Sequence, residues 1–187
     1  ILTGRDGGAG PSLGLVRAMT FDRKNQRLIV VQGDSLFGVS TERGDRLIVS
    51  SPSLGEGPTL APIDLAWDET RNRVVVINQT EPRILEVDLA TGDRRALVTA
   101  SETLGSPTRI TVRGGEIFLA DGAQGLLAVD DAGAVRHVAP LVGTDAGPDL
   151  GGPAGFGSGP AAPVYFWRDN RLIAVHPRAG DRVIVAR

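Results

Sequence analysis

The side chains here that could do chemistry are few, and most are amides or carboxylates. Gln32, Asn78 and Asp121 each stand directly after an apolar run, and Asp64 follows the Pro62-Ile63 pair that opens another one. Such oxygen-bearing groups can hold a polar ligand, or a hard cation if several converge. The same residue types also start turns, because their short side chains bond nearby backbone. Cysteine is absent, which removes disulfides, thiolate metal sites and thiol nucleophiles together. His137 and His176 are the only histidines, and neither has a partner at ligand spacing.

Three local patterns resemble functional motifs. Gly10-Pro11-Ser12-Leu13-Gly14 matches the spacing of a nucleophile elbow, but a strand rather than a helix should follow it. Its sister segment reads Gly57-Pro58-Thr59-Leu60-Ala61, so the pattern belongs to a repeat. Gly155-Phe156-Gly157-Ser158-Gly159 is glycine-rich like a phosphate loop, yet it lacks the flanking strand and helix, and Pro160 follows. Asn78-Gln79-Thr80 is formally a glycosylation sequon and reads as a polar loop.

What must position these residues is a repeat. Phe21-Asp22-Arg23-Lys24-Asn25-Gln26-Arg27-Leu28-Ile29-Val30-Val31 aligns with Trp67-Asp68-Glu69-Thr70-Arg71-Asn72-Arg73-Val74-Val75-Val76-Ile77 at an offset of 46. Ile110-Thr111-Val112, Gly114-Gly115 and Ile117-Phe118-Leu119-Ala120 form a shorter copy. The second half of the unit recurs four times, with turn glycines at 44, 92, 133 and 180. Gly8-Ala9-Gly10-Pro11-Ser12-Leu13 and Gly55-Glu56-Gly57-Pro58-Thr59-Leu60 repeat as connections between units. Apolar β-branched runs separated by polar turns predict four short antiparallel strands per ~45 residues, with helix nearly absent. A single small sheet cannot bury both faces, so such units stack face to face.

The fold class expected is therefore all-β: a β-propeller of about four four-stranded antiparallel blades. Blade boundaries fall at about 15–61, 62–107, 108–140 and 141–187, with 1–14 as the end of a preceding blade. Because Ile1-Leu2-Thr3 aligns with the outer-strand residues Ile48-Val49-Ser50, the chain reads as an open arc of a ring of six or more blades. Phe21 and Trp67 are expected to fill the space between blades. The Leu141–Ala162 connection is read as irregular, apart from a weak inner strand. Aligned in this way, Gln32, Asn78 and Asp121 occupy one position, where three blades would bring them to one mouth, with Asp64 facing the channel nearby.

Pro62-Ile63-Asp64-Leu65-Ala66-Trp67-Asp68 with Arg73-Val74-Val75-Val76, and Ile84-Leu85-Glu86-Val87-Asp88-Leu89-Ala90-Thr91-Gly92-Asp93-Arg94, resemble NHL-type repeats of bacterial β-propellers. The resemblance implies a ring of about six blades, often in exported or surface proteins. It is also distantly similar to the calcium-dependent gluconolactonase propellers. The residue after the Pro that opens an inner strand supplies calcium ligands in that family. Here this position holds Arg17, Ile63 and Thr108, which are poor ligands for the ion.

Net charge is −2, so there is no basic excess to favour nucleic acid. No apolar run approaches the length of a membrane helix. The sequence thus leads to a non-catalytic binding scaffold, without cofactor, that presents loops on one face to a protein, peptide or glycan. The remaining blades of a parent propeller are further partners, and the expected location is extracytoplasmic in a bacterium. The alternative is a calcium-dependent lactonase-like hydrolase with ligands partly outside this chain.

Overall fold

The computed structural model describes residues 8–81, 83–98, 103–142, 147–150, 155–158 and 163–186. Its described residues form sixteen strands and no α-helix. Blade 1 holds β1 (Ala18–Asp22), β2 (Arg27–Gln32), β3 (Ser35–Ser40) and β4 (Arg46–Ser50). Blade 2 holds β5 (Pro62–Asp68), β6 (Arg73–Asn78), β7 (Ile84–Val87) and β8 (Arg94–Val98). Blade 3 holds β9 (Pro107–Arg113), β10 (Glu116–Asp121), β11 (Gly125–Val129) and β12 (Val135–Ala139). Blade 4 holds β13 (Gly155–Ser158), β14 (Val164–Arg168), β15 (Arg171–Val175) and β16 (Arg182–Ala186). Each sheet is a meander in sequence order, antiparallel throughout. Every expected strand is present. The segment around Ile1-Leu2-Thr3 lies outside the described residues.

The chain divides into two compact units, Ile1–Thr99 with blades 1 and 2 and Ala100–Arg187 with blades 3 and 4. In the first unit, side-chain alternation along each strand sends Ile29, Val31, Leu36 and Val49 of blade 1 into one core with Leu65, Val74, Val76, Leu85 and Val87 of blade 2. The blade-linking residue Leu60 closes that core. In the second unit, Phe118, Ala120, Leu126 and Ala128 of blade 3 meet Val164, Phe166, Ile173 and Val175 of blade 4, with Leu150 in the role of Leu60. The ring of Phe156 meets Phe166 edge to face at 4.9 Å between centroids. Each pair of blades buries the faces that a lone sheet would expose.

Two large aromatics behave differently from expectation. Trp67 packs against the first core while remaining only half-buried, and its indole Nε1 finds no hydrogen-bond partner among the described residues. Phe21 is 38% exposed, because it points away from blade 2 while its neighbours Ala18 and Thr20 point toward it. The strand β13 forms inside the glycine-rich stretch, paired from Gly155↔Trp167 to Ser158↔Val164. Residues 155–158 therefore carry strand geometry and have no phosphate-loop character.

The first hairpin of blades 1 and 2 is closed by a buried ion pair. Arg27 Nε lies 2.9 Å from Asp22 Oδ2, and Arg73 Nε lies 3.0 Å from Asp68 Oδ2. Asn25 N also donates to Asp22 Oδ1 and Asn25 Nδ2 to Asp22 Oδ2. Burial pushes the Asp22 carboxyl up, but the bonds from Asn25 and Arg27 outweigh it and hold the group below its usual range.

Candidate functional site

Asn78 is fully buried at the end of β6. Its Oδ1 accepts Ala61 N at 2.6 Å, and its Nδ2 donates to Thr59 O at 2.9 Å and to Thr80 O at 3.0 Å. The amide that a sequon would offer to a glycan is thus enclosed in the protein's own bonds. Asp121, 2% exposed at the end of β10, accepts four backbone donors. Gly105 N and Ser106 N reach its Oδ2 at 2.9 Å, while Ala123 N at 2.8 Å and Gln124 N at 3.0 Å reach its Oδ1. Gln32 Oε1, at the end of β2, accepts Gly14 N at 2.6 Å. In all three cases the side chain grips the connection that enters its own blade. A buried carboxylate that takes four backbone N–H donors suits a structural lock.

Asp64 is half-buried beside the bulge between Pro62 and Asp64 on β5, and its Oδ1 accepts Leu65 N at 3.0 Å. Within the first unit, then, Gln32 and Asn78 occupy equivalent strand ends. Asp121 holds the same position in the second unit. Among the described residues no group of three His, Cys, Asp or Glu could hold a metal ion.

A second lock was not read from the sequence. The connection entering blade 2 first passes the turn between β7 and β8. There Asp93 Oδ1 accepts Glu56 N at 2.8 Å, and Arg94 N donates to Glu56 O at 2.7 Å. Arg94 is 8% exposed. It donates to Ser50 Oγ and to the carbonyls of Ser51, Leu54, Gly55 and Pro58 at 2.8–3.0 Å. Blade 1 repeats the arrangement: Asp45 Oδ1 accepts Ala9 N at 2.8 Å, Arg46 N reaches Ala9 O at 2.7 Å, and Arg46 Nη2 reaches Gly8 O at 3.0 Å. In blade 4 Arg182 Nη1 donates to Pro148 O at 3.0 Å, while its buried Nε and Nη2 make no hydrogen bond among the described residues. Burial pulls this guanidinium below the usual arginine range, against the attraction of Asp149.

The close approach explains the glycines. Gly57 has φ of 108°, and a Cβ there would lie 1.9 Å from Arg94 O. Gly92 has φ of 82°, and a Cβ would lie 2.5 Å from Val49 O. The expected left-handed turn glycines 44, 133 and 180 have φ of 74°, 79° and 76°. The signal that could have revealed the lock is a pairing of motifs. Gly-Asp-Arg at 44–46, 92–94 and 180–182 accompanies Gly-Pro-x-Leu at 10–13, 57–60 and 147–150. Blade 3 has Gly133-Ala134-Val135 instead, and no Gly-Pro-x-Leu enters it.

The remaining candidates have local roles. His176 Nδ1 accepts Ala179 N at 3.1 Å and caps a turn, as Asp88 does for Ala90 N at 2.7 Å. His137 is exposed on β12, and Ser12 is exposed ahead of β1. Across blade 2 an ion ladder runs from Asp68 through Arg73 and Glu86 to Arg95, with Arg95 Nε 2.7 Å from Glu86 Oε1 and Arg73 bonded to the other oxygen. Burial pushes the Glu86 carboxyl up, and the bonds from Arg95 and Arg73 more than reverse this. The charges in the open cleft there are therefore paired with one another.

No protein-family model matches the sequence, and no curated protein matches it. Solved structures do. A crystal structure of a nidogen/laminin complex contains a chain similar over 92% of this chain and 65% of that one, at 17% identity and a TM-score of 0.73. A Bacteroides thetaiotaomicron protein of unknown function is similar over 97% of this chain and 46% of its own, at 14% identity and a TM-score of 0.65. A chain of Kuenenia stuttgartiensis hydrazine synthase is similar over 91% and 49%, at 12% identity and a TM-score of 0.64. The chain spans 65% or less of the length of these neighbours. Four meandering four-stranded sheets and these likenesses together make the fold that of a β-propeller.

Proposed function

We propose that this chain is a non-catalytic binding scaffold of the NHL-repeat kind. It presents loops from the blade-linking end to a protein, peptide or glycan. The observation that carries the reading is the double lock on the connections entering blades 1 and 2: a strand-end side chain at one point and the Gly-Asp-Arg turn at another. Such fixing lets a connection expose Ser53, Leu54, Glu56 and Thr59 in one conformation, which lowers the entropy lost on binding. The candidate residues Gln32, Asn78 and Asp121 then act by shaping loops within their own blades. One structural neighbour belongs to a crystal structure of a nidogen/laminin complex, in which two proteins bind each other, and protein binding is the mode proposed here. An extracytoplasmic bacterial location follows from the resemblance to exported repeat propellers.

The test is a screen of the chain against displayed peptides and arrayed glycans. Binders should weaken at least tenfold with Leu54→Arg or Glu56→Lys. Binding that ignores both substitutions would overturn the proposed surface. The calcium-dependent hydrolase alternative predicts a rise in Tm with millimolar calcium and turnover of a lactone.

A further inference from the structure

The blades differ at one repeated trio of positions. Its members are the first residue of the second strand and one cross-strand pair between the third and fourth strands. In blade 2 they are Arg73, Glu86 and Arg95, with Glu86 opposite Arg95 in register. In blade 3 they are Glu116, Ala128 and Arg136, with Ala128 opposite Arg136. In blade 1 they are Arg27, Gly38 and Leu47, with Gly38 opposite Leu47. Blades 2 and 3 each set an acid against arginine here. Glu86 bonds both Arg73 and Arg95, and Glu116 Oε1 lies 2.8 Å from Arg136 Nη2. Blade 1 supplies the arginine and no acid at these three positions.

The guanidinium of Arg27 is nevertheless placed to receive one. Arg73 shows that a single guanidinium here serves two acids: Nε goes to Asp68 at 3.0 Å and Nη1 to Glu86. Arg27 repeats the first half, with Nε 2.9 Å from Asp22 Oδ2. Its Nη1 lies 3.5 Å from where a Cβ on Gly38 would stand. Among the described residues its side chain makes no other hydrogen bond. That side chain is 18% exposed, so water screens its charge only in part. Gly38 thus leaves room beside Arg27 where Glu86 reaches Arg73 in blade 2. The room opens into a cleft of about 320 Å³. Leu47, 51% exposed, gives the cleft an apolar side. Glu42 and Asp45 also line it, with Asp45 already 2.9 Å from Arg43 Nε. These acids disfavour a multiply charged anion such as phosphate. A single carboxylate is what the guanidinium fits.

We propose that this cleft of blade 1 binds a monocarboxylate with an adjoining apolar group. Its carboxylate sits on Arg27, as Glu86 sits on Arg73 in blade 2, and its apolar part lies on Leu47. A free organic acid and the C-terminus of a peptide that ends in leucine present this same chemistry. The site is built by blade 1 and does not depend on what the blade-linking connections bind.

An NMR titration of the 187-residue chain tests it, with isocaproate as probe and the amides of Gly38 and Leu47 as reporters. Those amides should shift saturably with the acid and stay still with isocaproamide. A short peptide ending in leucine, with a free or an amidated C-terminus, separates the two sources. A response to the free terminus as strong as to isocaproate assigns the site to chain ends, and a response to isocaproate alone assigns it to free acids. Gly38→Glu supplies the acid from within and should weaken binding at least about tenfold. Leu47→Arg rebuilds the arginine pair of blade 2 and should tighten acetate binding about threefold, whereas Leu47→Glu should weaken it by a similar factor. Both Leu47 variants change an exposed side chain, so they answer even where Gly38→Glu fails to fold. An equal response to acid and amide would overturn the proposal. So would shifts that never saturate, unchanged binding by Gly38→Glu, or Leu47→Arg and Leu47→Glu acting in the same direction.

Discussion

Blades 2 and 3 differ at the same turn. In blade 2 the turn into the fourth strand reads Gly92-Asp93-Arg94, and it holds the incoming connection through a carboxylate, a guanidinium and one main-chain bond. In blade 3 it reads Gly133-Ala134-Val135, and Asp130 Oδ1 simply caps its own turn by accepting Ala132 N and Ala134 N at 2.9 Å. Blade 3 compensates at the other lock. Asp121 takes Gly105 N and Ser106 N onto one oxygen, whereas Asn78 in blade 2 takes Ala61 N alone and donates instead. The strand pairing tolerates either solution. A blade needs its incoming connection fastened, and the sequence chooses where.

The largest test of this difference is Arg94→Ala. It orphans buried carbonyls and should cost about 3–5 kcal/mol in urea unfolding. Val135→Ala, at the matching place in blade 3, should cost about 1 kcal/mol. A loss below ~1 kcal/mol for Arg94→Ala would reduce its lock to decoration. Next come the strand ends. Asp121→Ala leaves buried N–H groups unpaired and should cost about 2–4 kcal/mol. Gln32→Ala, which releases one bond from an exposed segment, should cost under about 1 kcal/mol. Equal losses at the two positions would break the argument that burial of the gripped backbone sets the cost.

A smaller contrast lies between aromatics at one repeat position. Trp67→Ala removes a half-buried ring from the first core and should cost about 2–3 kcal/mol, measured by urea unfolding. Phe21→Ala should cost under about 1 kcal/mol. The smallest effect concerns acid. The folded-state pKa values of Asp22 and Glu86 lie below the ordinary 3.8 and 4.5. Their contribution is therefore fully present above those ordinary values, and it is lost as pH falls through the lowered ones. Stability should decline below about pH 4, and Glu86→Gln should flatten that decline. An unchanged pH profile would remove Glu86 from the ladder.

Much of this was legible in the sequence. The β-branched runs after Asp22, Asp68 and Gly115 determine strands wherever they occur, because only a pleated, half-buried surface suits them. The positive-φ glycines follow from turn chemistry that involves a few neighbouring residues. Even the equivalence of Gln32, Asn78 and Asp121 was available by counting from the repeats. Their partners were not, since Thr59, Ala61, Gly105 and Ser106 lie 15–19 residues away along the chain. Arg94 was harder still, because the carbonyls around it belong to a connection 36–43 residues earlier.

The sequence alone determined a four-stranded repeat, its register and its turns, because these depend on contacts between residues near in the chain and on the twofold alternation of strands. Tertiary structure decided which polar groups were consumed. A buried donor or acceptor takes whatever partner packing brings within reach, and that partner is set by how blades stack. It decided the fate of Phe21 and Trp67 as well. Both are large apolar residues at one repeat position, and the packing of a neighbouring blade against only one of those faces separates them.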